Sequence, residues 1–174
     1  MSRGELEVVA ERILAALKGS VRRLRIVDHD GPGVERVEAP LLTRVLEHEV
    51  GGHVLGITDA DLFDESGPDF FDFVFGCKDN RNQVAVVSTR RLGSARPGRA
   101  LARLVKVGLH ELGHNFGLGH HYDFETVGDV GYCPMHKGDF NRHGERSYVR
   151  SVIDARALTF CEPCRRFLRL AHPA

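Results

Sequence analysis

Apolar positions recur at helical spacing near the start of the chain: Leu6, Val9, Ile13 and Leu17 fall on one face of residues 5–18, and Gly19 ends the run. Residues 21–27 instead alternate apolar and basic side chains, the period of a strand with one buried face. Gly31-Pro32-Gly33 then turns the chain, so Asp28, His29 and Asp30 read as a solvated loop. Leu41, Leu42, Val45 and Leu46 form the stripe of a second helix over 40–50. The apolar run 53–58 suits a central strand. The acidic stretch 59–72 reads as an exposed loop, and 73–77 with 83–88 as a hairpin across the polar turn 78–82. Hairpin strands are antiparallel, which places one of them at a sheet edge. After a loop at 94–99, Leu101, Leu104, Val105, Leu109 and Leu112 line one face of a long helix over 100–114. Gly108 and Gly113 inside it lower its propensity and mark places where neighbouring backbone comes close. Two further helices are predicted at 144–158 and 161–170. This order predicts an α/β fold: a mixed, mostly parallel twisted sheet with an antiparallel edge strand, packed by helices.

A chain of 174 residues fits one domain, 1–174, with a sizeable core. The 24 basic and 24 acidic residues balance, so no global field favours nucleic acid or an anionic membrane. Arg165, Arg166 and Arg169 near the end lack interleaved aromatic residues, and no nucleic-acid partner is expected. No apolar run reaches the length of a membrane span. Glu5 and Glu7 stand where a signal peptide needs apolar residues, so a cytoplasmic monomer is expected. In that compartment the four cysteines point to metal ligation ahead of disulfides, two of them in Cys161-Glu-Pro-Cys164.

The candidate chemistry lies in His110-Glu-Leu-Gly-His-Asn-Phe-Gly-Leu-Gly-His120. His110 and His114 are four apart and project from one helical face, so both imidazoles can reach one metal ion. Glu111 is not placed as a ligand on that face and takes the general-base position beside the metal. Gly117 allows the helix to stop with positive φ, after which His120 can approach the same ion from another direction. Three imidazoles with one open position form a catalytic zinc site, whereas structural zinc sites are closed. The extended spacing, with Met135 following at Cys133-Pro134-Met135, matches the metzincin signature.

The chain resembles the archaemetzincins, a family of small metzincin-like proteins. Beyond the histidine motif, the resemblance is carried by Leu55-Gly-Ile-Thr-Asp59 with Asp61-Leu-Phe63, by Phe73-Val-Phe-Gly76, by Val84-Ala-Val-Val-Ser88 with Arg91-Leu92, and by the closing Cys161-Glu-Pro-Cys164. It implies a metzincin-like fold in which the antiparallel edge strand lies over the cleft and an extended peptide pairs with it. It also implies that Met135 forms an apolar floor under the zinc. The family carries a second zinc on four cysteines. Here His121 stands in place of the first of them, the spacers 122–132 and 134–160 are longer than in the family, and Cys133, Cys161 and Cys164 remain. A Cys3His structural site of His121, Cys133, Cys161 and Cys164 is therefore expected, with His136 and His143 as rival fourth ligands.

These observations predict a zinc metallopeptidase with a catalytic and a structural zinc, acting on a peptide or protein. Two other classes fit the same motif: a zinc-containing peptide-binding module, and a hydrolase of non-peptide amides.

Overall fold

The computed structural model describes the chain except residues 19, 22–25, 27–32, 51, 66–70, 79–82, 123–126, 139–145 and 172–174. Helix α1 (Arg3–Ala16) starts at Ser2, whose hydroxyl accepts from the Glu5 amide while the Glu5 carboxylate accepts from the Ser2 amide. Strand β1 (Arg36–Glu38) runs directly into α2 (Ala39–Glu49), with Pro40 in its first turn. Strands β2 (Val54–Thr58), β3 (Asp61–Asp64), β4 (Phe71–Val74), β5 (Gly76–Lys78) and β6 (Val84–Ser88) follow.

The strands form two mixed three-stranded sheets, ordered β1-β3-β4 and β2-β6-β5. In each, one pairing is parallel and the other antiparallel. The mixed sheet with an antiparallel edge thus forms, divided in two, with β5 at the edge. The division falls at Phe75, so the apolar segment predicted as one strand serves β4 in one sheet and β5 in the other. Polar contacts reinforce the apolar packing between the sheets: the Ser88 hydroxyl donates to Ala60 O at 2.6 Å, and Arg91 grips Asp61 at 2.6 and 2.7 Å. That ion pair explains the strand in the segment predicted as an exposed loop. Asp61 is neutralised by Arg91, and Leu62 beside it is fully buried.

Helix α3 (Pro97–Asn115) lies against β6, all of whose residues are buried, and against α1. A Cβ on Gly108 would lie 3.1 Å from Leu55 Cδ2, so the glycine lets α3 approach β2. At its end, Asn115 Nδ2 donates to Val54 O and Gln83 O at 3.2 and 3.1 Å. The larger core joins Val9, Ile13 and Leu17 of the N-terminal segment to α3 and to Met135, Ile153, Phe160 and Leu168. A smaller one packs α2 through Leu46 onto Leu62, Val84 and Val86.

The predicted helix over 144–158 is shorter among the described residues. It ends in a π-helical turn, Val149–Ile153, because the backbone beyond pairs with Tyr132 instead: Tyr132 N donates to Ala155 O and Ala157 N to Tyr132 O. Helix α4 (Glu162–Ala171) closes the fold. The predicted strand over 21–27 and the Asp28-His29-Asp30 loop lie outside the described residues, apart from 21 and 26. No helix among the described residues is long and apolar enough to cross a membrane.

Candidate metal centre

His110 and His114 stand one turn apart on α3, which a Schellman motif then ends. Gly117 takes φ +89°, its amide donates to His114 O at 3.0 Å, and Leu118 N donates to Gly113 O at 2.9 Å. The reversal carries His120 back to the helix. His120 Nε2 lies 3.0 Å from His114 Nε2 and 3.3 Å from His110 Nε2. Two nitrogens bound at about 2.0–2.1 Å around a tetrahedral zinc lie about 3.3–3.4 Å apart, so this spacing fits one shared ion. The outer nitrogens are occupied: His110 Nδ1 donates to Pro134 O and His114 Nδ1 to Leu118 O, each at 2.8 Å. These bonds fix the tautomer that leaves both Nε2 lone pairs facing inward. Burial keeps the rings neutral, holding His110 well below its usual range and bringing His120 to about 4. Neutral imidazoles are what a metal requires.

The three histidines open onto a cleft of about 610 Å³. Glu111 lies in its wall, 7% exposed, and burial lifts its carboxyl to about 7 against the opposing charge of Arg156. Edge strand β5 closes on this carboxylate because residue 76 has no side chain. A Cβ there would come within 2.7 Å of Glu111 Cγ and 2.8 Å of Oε1.

Met135 is fully buried beneath α3, where a Cβ on Gly113 would collide with its Sδ. Its turn is held on both sides. Pro134 O accepts from His110, Met135 O accepts from His121 N at 2.9 Å, and His136 O accepts from Arg156 at 2.7 and 3.2 Å.

The second predicted cluster is also brought together. His121 Nε2 lies 3.1 Å from Cys164 Sγ and 3.4 Å from Cys161 Sγ, and Cys133 Sγ lies 3.9 Å from Cys164 Sγ. All the cysteines are free thiols, and the last separation is far beyond a disulfide's S–S length of about 2.05 Å. Sulfurs bound at about 2.3 Å around a tetrahedral zinc sit about 3.8 Å apart, so the donor set fits a closed zinc site. Contact between the two sulfurs draws the Cys133 thiol below its usual range while Cys164 is driven up. Of the rival fourth ligands, His136 is not in this cluster and packs its ring on Tyr132 at 4.9 Å, and His143 lies outside the described residues. Arg156, 3% exposed and supporting the methionine turn, was not singled out from sequence. Neither was Lys78 on the cleft rim. Arg156 follows an apolar helical stretch and Lys78 opens a polar turn, and no local pattern distinguishes either.

The mixed sheets, the long helix ending in three convergent imidazoles and the buried methionine turn define a metzincin-like α/β protein. The chain belongs to the archaemetzincin family. It is 30% identical over 164 residues to the archaemetzincin of Methanopyrus kandleri, covering 90% of this chain and 79% of that one. It is 35% identical over 124 residues to that of Aeropyrum pernix, covering 70% of this chain and 56% of the relative. The crystal structure of the Methanopyrus kandleri protein matches with a TM-score of 0.67 at 29% identity, over 97% of this chain and 86% of that one. A zinc-dependent peptidase from Methanocorpusculum labreanum matches with a TM-score of 0.63 at 25% identity, over 95% and 93%. No protein-family model matches the chain.

Proposed function

We propose that this chain, as a single domain over 1–174, is a zinc-dependent metallopeptidase that hydrolyses peptide bonds in the cleft between β5 and α3. His110, His114 and His120 hold the catalytic zinc, and Glu111 is the general base. The carrying observation is the convergence of three neutral Nε2 atoms on one point of an open cleft, with a buried carboxylate in its wall. A zinc ion held there would supply Lewis-acid polarisation of the scissile carbonyl and would make the attacking water easier to deprotonate. Glu111 accepts the proton of the attacking water at a carboxylate oxygen and delivers it to the leaving amine nitrogen. Burial lifts Glu111 to about 7 against the opposing charge of Arg156, so the group can take up and release a proton near neutral pH. β5, outermost of its sheet among the described residues, offers its edge to an extended peptide, whose main chain pairs with it whatever the side chains. His121, Cys133, Cys161 and Cys164 hold a second, structural zinc that ties the segment after His120 to α4.

A mixed peptide library read by mass spectrometry tests this, comparing wild type with Glu111→Ala at equal zinc content. Products from wild type alone support the mechanism. Full activity in the variant, or none in the zinc-loaded wild type, overturns it. Metal analysis should give two zinc ions per chain and one after Cys164→Ser; a single ion in wild type removes the structural site.

A further inference from the structure

The edge strand carries a cation to the rim of the cleft. Side chains alternate between the faces of a strand, and position 76 faces Glu111. Lys78, two residues on, shares that face, while Cys77 between them packs with the core under α2. Lys78 and His114 line the same cleft. Glu111 is the only acid among the described residues lining that cleft. No carboxylate among the described residues forms an ion pair with Lys78. Lys137 lies 5.8 Å from the Tyr122 ring, whose centroid is 6.2 Å from that of His120. Since the chain balances 24 cations with 24 acids, this positive rim is a local arrangement.

We propose that Lys78 forms a subsite for a carboxylate of the bound peptide, close to the bond held at the histidine cluster. Strands rise about 3.3 Å per residue, so Lys78 stands about 7 Å along β5 from the position facing Glu111. A peptide paired with that edge brings a side chain within about two residues of the scissile bond to the ammonium. Either an Asp or Glu side chain or a free C-terminal carboxylate supplies the charge. The cleavage part of this inference rests on the peptidase reading; the binding part does not.

The test separates the two. Short labelled peptides carry one Glu or its Gln isostere at successive positions, each with a free or amidated C-terminus. Binding is read by fluorescence anisotropy on zinc-loaded Glu111→Ala protein, and turnover by mass spectrometry on protein with Glu111 intact. The expected result is about fivefold tighter binding of the carboxylate-bearing peptide, as for a solvent-exposed ion pair, fading in 1 M salt. Lys78→Met should remove the preference, and Lys78→Glu should transfer it to peptides carrying Lys. A preference that depends on the Glu position names the side chain as the source, and one lost on amidation names the terminus. Equal binding of acid and amide by the Glu111→Ala protein with Lys78 intact overturns the proposal. So does a preference that survives in Lys78→Met, which assigns it to the metal. Selective binding without turnover overturns the peptidase and leaves the carboxylate subsite standing.

Discussion

Gly113→Ala is a sharp test of how the methionine turn meets α3. In an exposed helix interior this change stabilises by about 1 kcal/mol, because glycine carries the larger entropy cost on ordering. Here the new methyl would overlap Met135 Sδ and approach Met135 Cε at 3.3 Å and Phe160 Cε1 at 3.4 Å. Met135 and Phe160 are both fully buried. Met135 is also tethered, since its carbonyl accepts from His121 N and the preceding carbonyl from His110. Overpacking costs about 1–3 kcal/mol, and a tethered contact inside van der Waals distance belongs near the upper end. The net expectation is a loss of about 2 kcal/mol, or a melting point lower by about 4–8 °C for a chain of this size. Urea unfolding of zinc-loaded protein measures it, with Gly98→Ala as control, because nothing lies within 4 Å of a Cβ at that exposed position. Combining Gly113→Ala with Met135→Ala should recover part of the loss, giving a non-additive cycle. If Gly113→Ala stabilises the protein as much as Gly98→Ala does, α3 and the turn are not in the close contact argued here.

Gly76→Ala puts a Cβ within 2.7 Å of the buried Glu111 Cγ, so it should cost about 1–3 kcal/mol of stability by overpacking and cut turnover at least tenfold by displacing Glu111; steady-state kinetics beside a thermal melt decide it. Asp154→Asn breaks the pair in which Arg103 Nε and Nη2 each donate to the carboxylate at 2.8 Å, at an expected cost of about 2 kcal/mol, between the surface and buried limits. Arg103 holds the Asp154 carboxyl below its ordinary value, so this contribution is complete above about pH 3.9 and is lost as pH falls through the folded value. Melts of wild type and variant should therefore converge in acid, and a constant gap down to pH 2 would contradict the assignment. In metal-free protein the buried histidines bind protons less readily than in the unfolded chain, so they make stability rise with pH below about 6.5. Glu111, raised to about 7, acts in the opposite direction between the unfolded carboxyl range and that value. Glu111→Gln should accordingly steepen the rise of stability between pH 5 and 7, and an unchanged slope would show that Glu111 does not titrate there.

The parts legible in sequence are those whose geometry is local. His110, His114, Gly117 and His120 are placed by one helical turn and one Schellman reversal, both set by near neighbours in the chain. Helical stripes such as Leu6-Val9-Ile13-Leu17 are legible for the same reason. β3 was not, because its acidic composition signals exposure unless Arg91, thirty positions away, is known to meet Asp61. The division of 73–77 at Phe75 is likewise set by partners, since β4 pairs with β3 and β5 with β6. Arg156 and Lys78 matter through tertiary approach alone.

The two clusters are joined through backbone as well as sequence. His120 and His121 are consecutive, one facing each cluster, and His121 N donates to Met135 O while Lys137 N donates to His121 O. On the other strand of that pairing, Cys133 faces the sulfur cluster and Pro134 O orients His110. Each cluster is thus assembled from residues that directly adjoin the other. A rearrangement of the cysteines that shifted residues 133–136 would move the acceptor that fixes the His110 tautomer. Arg156 restrains that movement from beneath, with two donors on His136 O. Its burial without a carboxylate among its hydrogen-bond partners in the described residues is costly, and the groups that favour its charge are Tyr148, Glu111 and Cys133. The guanidinium therefore lies within electrostatic reach of the proposed base on one side and of a thiol of the sulfur cluster on the other, so the same turn is supported mechanically and electrostatically at once.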